Sequence, residues 1–397
     1  MKIKLFIALA LFCGIANAQN AWIQKPNFGG IVRLGAVGFA IGNKGYVGTG
    51  YNNPTNTVLN DFWEWNPATN AWTKKANFAG SSRGWAMGSS LGTKGYLGWG
   101  SDSATNAYND FWEYDTTSNS WTQKATFGGI AASERVCFSI GLKVYMLGAA
   151  SDLWEYNPTA NTWTQKSNYP GCGAFAQVAF SIGNKGYVGT GTSSLPSYCK
   201  DFWEYNPSID LWTQKADFGG GYRTAAVGFS LGTKGYIGTG VEGNTKYNDF
   251  WEFNPSNNTW TRKKDFGGTA RLVATGFSIS SKGYIGLGYD NSGDRNDFWE
   301  YTPDSFTTGL DENVIKNAIS VSPNPFSKET TLQTEIFLND ATLKVYNTIG
   351  QEVKQVKNIS GQTIILQRDN LPCGIYFLQL IEDDRIFTID KLVISEN

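Results

Sequence analysis

Apolar residues along most of this chain fall in short runs closed by glycine or by a polar turn, a pattern that predicts short β-strands. Ala225-Ala226-Val227-Gly228-Phe229-Ser230 leads into Gly232-Thr233-Lys234-Gly235 and then Tyr236-Ile237-Gly238-Thr239-Gly240. The G-x-K-G element sits between two strand-like runs and predicts a hairpin turn. A polar stretch rich in Asn, Ser, Thr and Gly follows, then an aromatic D-F-W-E segment, an Asn-Pro turn and a short W-T-x-K strand. These are strands A, B, C and D of one unit.

The unit repeats. The second strands centre on Tyr46, Tyr96, Tyr145, Tyr187, Tyr236 and Tyr284, and the third strands start at Asp61, Asp110, Asp152, Asp201, Asp249 and Asp297. The steps between those aspartates are 49, 42, 49, 48 and 48 residues. A 40–50-residue period with four strands per copy predicts the blades of a β-propeller. The final-strand tryptophans are Trp22, Trp72, Trp121, Trp163, Trp212 and Trp260, so Trp22 precedes any strand A and nothing like W-T-x-K follows the copy at Asp297. The segment from Ala21 to Lys25 is therefore expected to supply strand D of the blade ending near Pro303, leaving no open sheet edge. The expectation is an all-β, six-bladed propeller closed by its N-terminal strand. The repeat resembles the kelch motif, which has a Tyr in the second strand, glycines ending it, an Asp-initiated third strand and a Trp about seven residues after the second aromatic. Tyr205 to Trp212 fits this spacing. One departure recurs, since kelch units end strand B with adjacent glycines and Gly189-Thr190-Gly191 is split.

The two ends differ from the repeats. Lys2 and Lys4, an apolar run from Leu5 to Ile15 and Ala16-Asn17-Ala18 predict a secretory signal over 1–18, cleaved after Ala18. The propeller is expected over 19–306 and a linker over 307–317. Residues 318–397 then contain Pro323-Asn324-Pro325, Gly350, Gly374-Ile375-Tyr376 and Lys391-Leu392, with alternation at Leu343, Val345 and Ile375, Phe377. This stretch resembles the type A sorting domain of the type IX secretion system. The resemblance implies a small immunoglobulin-like β-sandwich, engagement of that secretion machinery through 318–397, and a secreted or cell-surface destination. No other apolar run approaches a membrane span.

Composition narrows the chemistry. A formal net charge of −1 offers no basic field, so nucleic acid is not an expected partner. The chain has no histidine, which removes Ser-His-Asp and Cys-His catalysis and every imidazole metal site. No metal or cofactor is implied. The loop Asp290-Asn291-Ser292-Gly293-Asp294 lacks the spaced carboxylates of a calcium hand. Acids repeated in every D-F-W-E copy cannot mark one unique site; each Asp is expected to fix the start of strand C by bonding backbone amides.

The candidates are thus what breaks or overlays the repeat. Arg33, Arg83, Arg223 and Arg271 each stand eleven residues before the turn lysine, with Ala132 and Ala174 at that register in the other two copies. Four guanidiniums there are expected to ring one mouth of the channel and bind carboxylates, or else to pair with a neighbouring blade's Asp or a backbone carbonyl. Trp85 and Trp99 lie outside the repeat positions and are candidate sugar-stacking residues. The B–C loops are variable, and the third copy has only Ala149-Ala150-Ser151, predicting a notch in that rim. Cys172 and Cys199 precede strands A and C of the fourth blade, where a disulfide is feasible in an oxidising compartment; Cys137 and Cys373 are expected as lone core thiols. The functional expectation is a secreted or surface protein that binds a protein or glycan through this loop face. The alternatives are a sugar epimerase resembling the sialic acid mutarotases and an adhesive or structural surface component.

Overall fold

The computed structural model describes residues 20–303, except 150 and 195–196, and 319–396, except 348–351 and 383–384. The expected signal segment 1–18 and linker 307–317 lie outside the described residues. Two compact units divide the chain near Ser305.

In the N-terminal unit the pattern of short strands resolves into six four-stranded antiparallel sheets. The fifth is representative, with Val227–Leu231, Lys234–Gly238, Phe250–Asn254 and Thr259–Arg262 as strands A to D. In the sixth, strand D is Ala21–Lys25, which pairs antiparallel with Phe298–Thr302. Trp22 there stands opposite Tyr301, as Trp260 stands opposite Phe253 in the fifth sheet. Strands A face their neighbours in a closed cycle, and an apolar core fills every gap between sheets. The last core joins Val47 and Trp65 of the first sheet to Phe277, Tyr284 and Phe298 of the sixth. This is a propeller arrangement.

The repeated residues are spent on this packing. In five of the gaps a strand-A phenylalanine lies on the strand-B glycine of the next sheet. A Cβ on Gly235 would come within 2.4 Å of Phe180, and one on Gly45 within 2.3 Å of Phe277. The second sheet has Ser89 where the others have Phe, and the third answers with Val144 where the others have Gly. Strand-D tryptophans clasp sheet to sheet: the indoles of Trp121, Trp163, Trp212 and Trp260 donate to the carbonyls of Ala76, Ala125, Ser167 and Ala216. Each C-strand Glu accepts from the B-strand Tyr, as in Tyr46–Glu64 at 2.8 Å, and takes a lysine such as Lys75 or Lys25 as counter-ion.

In the C-terminal unit the strands form one continuous sheet in place of the expected two-sheet sandwich. Hydrogen bonds link five strands in one sheet, in which Glu329–Asn347 and Glu352–Gln367 run side by side. The first half of Glu329–Asn347 pairs with Ile319–Ser322 and the second half with Gly374–Glu382. Register shifts interrupt this pairing between Gln333 and Leu343, where bulges bend a sheet. A parallel bridge between Phe326 and Ile394 brings the sheet's ends together over a core of Leu332, Leu343, Leu378 and Leu392.

Candidate functional site

The register arginines come first, and their position corrects the expectation. Arg33 Nη1 and Nη2 donate to the two carboxylate oxygens of Asp61 at 2.5 and 2.8 Å, and Nη1 also reaches the Thr49 carbonyl. Arg83 grips Asp110, Arg223 grips Asp249 and Arg271 grips Asp297 in the same forked way. All four arginine side chains are 0% exposed. They do not ring the mouth for a ligand: each guanidinium is turned into its own sheet, clasping the loop before strand A to the start of strand C. The partner is the repeat's own Asp, which recurs without the Arg at Asp152 and Asp201. The same Asp accepts the indole N–H of the Trp two residues on, at 2.8 Å from Trp63. The expected backbone-amide role of the Asp is seen at Asp201, which accepts from the Cys172 N–H. Burial alone would raise the Asp61 and Asp297 carboxyls, but Arg33 and Arg271, with the indoles, outweigh it and hold both below the usual range.

The fourth sheet has no register Arg, and a Cys172–Cys199 disulfide with a Cα–Cα distance of 5.9 Å joins the same two loops. Both sulfurs lie close to an Asp201 oxygen, but a disulfide offers no thiolate to a metal. Of the other cysteines, burial pushes the Cys137 thiol up to about 12, whereas Cys373 is exposed and not part of a core. Trp99 also departs from expectation. It is 0% exposed, with its ring edge-on to Phe127 at 4.4 Å.

What opens to solvent is a depression of about 870 Å³ at the mouth of the channel. Its floor is a ring of left-handed residues, one per sheet: Gly35, Trp85, Glu134, Ala176, Ala225 and Val273. Each amide donates to the carbonyl of the ring residue in the preceding sheet, and Gly35 closes the circle by donating to Val273 at 3.3 Å. The next residue in each sheet faces the channel. It is alanine in four sheets (36, 86, 226 and 274) but Arg135 in the third and Gln177 in the fourth.

These two break the symmetry. Arg135 is 8% exposed and stacks over Phe175 at 4.3 Å, and its Nε has no partner. Gln177 anchors its amide nitrogen on the Gly173 carbonyl at 2.6 Å, while its Oε1 is buried and unpartnered. Beside them Glu134 opens to the depression, yet the surrounding walls raise its carboxyl above the usual range, an effect that Arg135's charge partly offsets. Burial lowers the Arg135 guanidinium's pKa, with Glu134 and Asp152 opposing. Trp85, stacked on Tyr51 at 5.4 Å, stands at this mouth as well.

The walls are two-stranded ribbons between strands B and C, such as Thr192–Ser194 with Ser197–Tyr198 and Val241–Glu242 with Thr245–Lys246. Among the described residues the second sheet has only a single Ser101–Ala107 bridge there, and the third has no ribbon. Reading by repeat missed Glu134, Arg135 and Gln177. The signal lay eight residues before the turn lysine, where Ala gives way to Arg and Gln in adjacent copies.

Comparisons with known proteins agree with both units. Residues 320–395 match the family described as the secretion system C-terminal sorting domain. The chain is thereby marked for type IX export to the cell surface or the medium. No sequence among curated proteins matches significantly. A solved structure titled "Structure of YjhT" superposes with a TM-score of 0.60 at 15% identity, over 70% of this chain and 97% of its own. The likeness shows the propeller fold. No helix among the described residues is long and apolar enough to cross a membrane.

Proposed function

We propose that the chain is a secreted or surface-displayed binding protein, a six-bladed kelch-type propeller that takes a protein or glycan ligand in the depression at its channel mouth. The observation that carries this reading is the break beside the floor: the six equivalent positions that face the channel are alanine except for Arg135 and Gln177, with Glu134 next to them. Repetition serves the fold, and side chains that depart from it at a concave, partly aromatic surface are free to serve recognition. Trp85 and Phe175, the latter 40% exposed, supply apolar contact area there.

The test is a glycan-array and protein-capture screen with the exported protein, followed by titration of any hit against Trp85→Ala and Phe175→Ala. Loss of affinity by about tenfold or more in either variant supports the depression as the site. Full affinity in both refutes it. A second reading, a sugar epimerase, draws on Glu134, an acid outside the repeat whose raised pKa suits proton transfer. Faster anomeric exchange of a bound sugar, abolished in Glu134→Gln, would favour it.

A further inference from the structure

Arg33 and its three counterparts define how this fold treats a buried guanidinium: four or more hydrogen bonds, an aspartate and an aromatic face. Arg135 is nearly as buried and keeps the aromatic face. Its Nε, sealed from solvent, has no hydrogen-bond partner among the described residues. A buried polar group left without a hydrogen bond costs stability, and alanine fills the same position in four other sheets without that cost. Gln177, in the next sheet, adds a buried acceptor with no donor. Both side chains line one cavity.

We propose that the depression binds a ligand through a carboxylate gripped by Arg135, with Gln177 Oε1 accepting from a hydroxyl or amide N–H elsewhere on the ligand. This rests on the binding reading above and names its chemical class. A guanidinium presents a planar fork that fits a carboxylate edge. A single fork also neutralises a single charge, and the Glu134 carboxyl and Asp152 already act on Arg135. The balance favours a monoanion over phosphate or sulfate. Phe175 and Trp85 then receive the body of the ligand.

Carboxylates on acidic sugars and on acidic peptides share this chemistry, and two matched pairs separate the sources. D-glucuronate against D-glucose and N-acetyl-glutamate methylamide against its glutamine analogue are titrated into the exported protein by calorimetry. Expected is binding of one acid, about tenfold or more tighter than its neutral partner, and a loss of about tenfold or more in Arg135→Gln. Arg135→Lys, which keeps the charge without the fork, falls between. Equal binding of acid and neutral partner, failure of both acids to bind at millimolar concentration, tighter binding of inorganic phosphate, or full affinity in Arg135→Gln each overturns the proposal. A neutral ligand lost in Trp85→Ala but kept in Arg135→Gln leaves the depression as the site and removes the carboxylate. A ligand indifferent to both variants removes the binding reading as well.

Discussion

Replacing Arg83 by Ala strips Asp110 of both forked hydrogen bonds and leaves its carboxylate with the Trp112 indole. Breaking such a pair by removing one partner is expected to cost about 3 kcal/mol in urea unfolding. Arg135→Ala should cost nothing or raise the midpoint, because it removes a buried Nε that lacks a hydrogen bond and installs the residue of four other sheets. The contrast is the physical statement: one arginine holds the fold and the other waits in it. The clasps also set an acid limit. Asp61 and Asp297 have folded pKa values below the ordinary 3.8, so their stabilisation is complete above the ordinary value and is lost as pH falls from there through the lowered folded values. Unfolding midpoints should therefore fall mainly below about pH 5 and on toward pH 2, and less steeply in Asp61→Asn. The arginine register was legible in sequence, but its direction was not. A period tells which residues are equivalent, while the choice between a neighbouring Asp and open solvent depends on where strand C begins in space. Arg135 went unseen for the opposite reason, since it interrupts an alanine position that draws no notice.

At the scale of the strand, the alternation of apolar runs and glycine turns carried almost all of the information. Each unit is a meander whose pairings are local, so sequence order is spatial order. Packing between sheets is where substitutions become correlated. Ser89 and Val144 occupy the one gap in which a phenylalanine on glycine is absent, and Ser89 Oγ bonds Ser139 Oγ at 2.7 Å. Ser89→Phe alone should overpack this gap and cost about 1–3 kcal/mol. Val144→Gly alone opens space and should cost about 1 kcal/mol or more. Together they recreate the arrangement of the other five gaps, and a double-mutant cycle should return a favourable coupling of comparable size. Additive costs would show that the two positions do not share a gap. The long strands of the C-terminal unit were less legible, because the bends in Glu329–Asn347 come from register shifts that side-chain alternation does not encode.

For the molecule as a whole, the phase of the tryptophans against the rest of the repeat was the most informative single reading, since it placed strand Ala21–Lys25 beside Phe298–Thr302. Deleting 21–25 should expose the edge of Phe298–Thr302 and yield aggregation-prone protein in size-exclusion chromatography. An unchanged monomer would show that the sixth sheet stands without its fourth strand. That pairing also fixes a schedule. Asn20 bonds Tyr301 across 281 residues, so the first part of the domain to leave the ribosome must wait for nearly the last. Until then five gaps can zip in succession by neighbouring contacts, but the cycle stays open, with one unsatisfied strand at each end. The loop to be closed is long, and this step comes late. For an exported chain such a delay is useful. A propeller that cannot close before strand Phe298–Thr302 emerges stays open through most of its synthesis, and only the C-terminal unit then remains to thread.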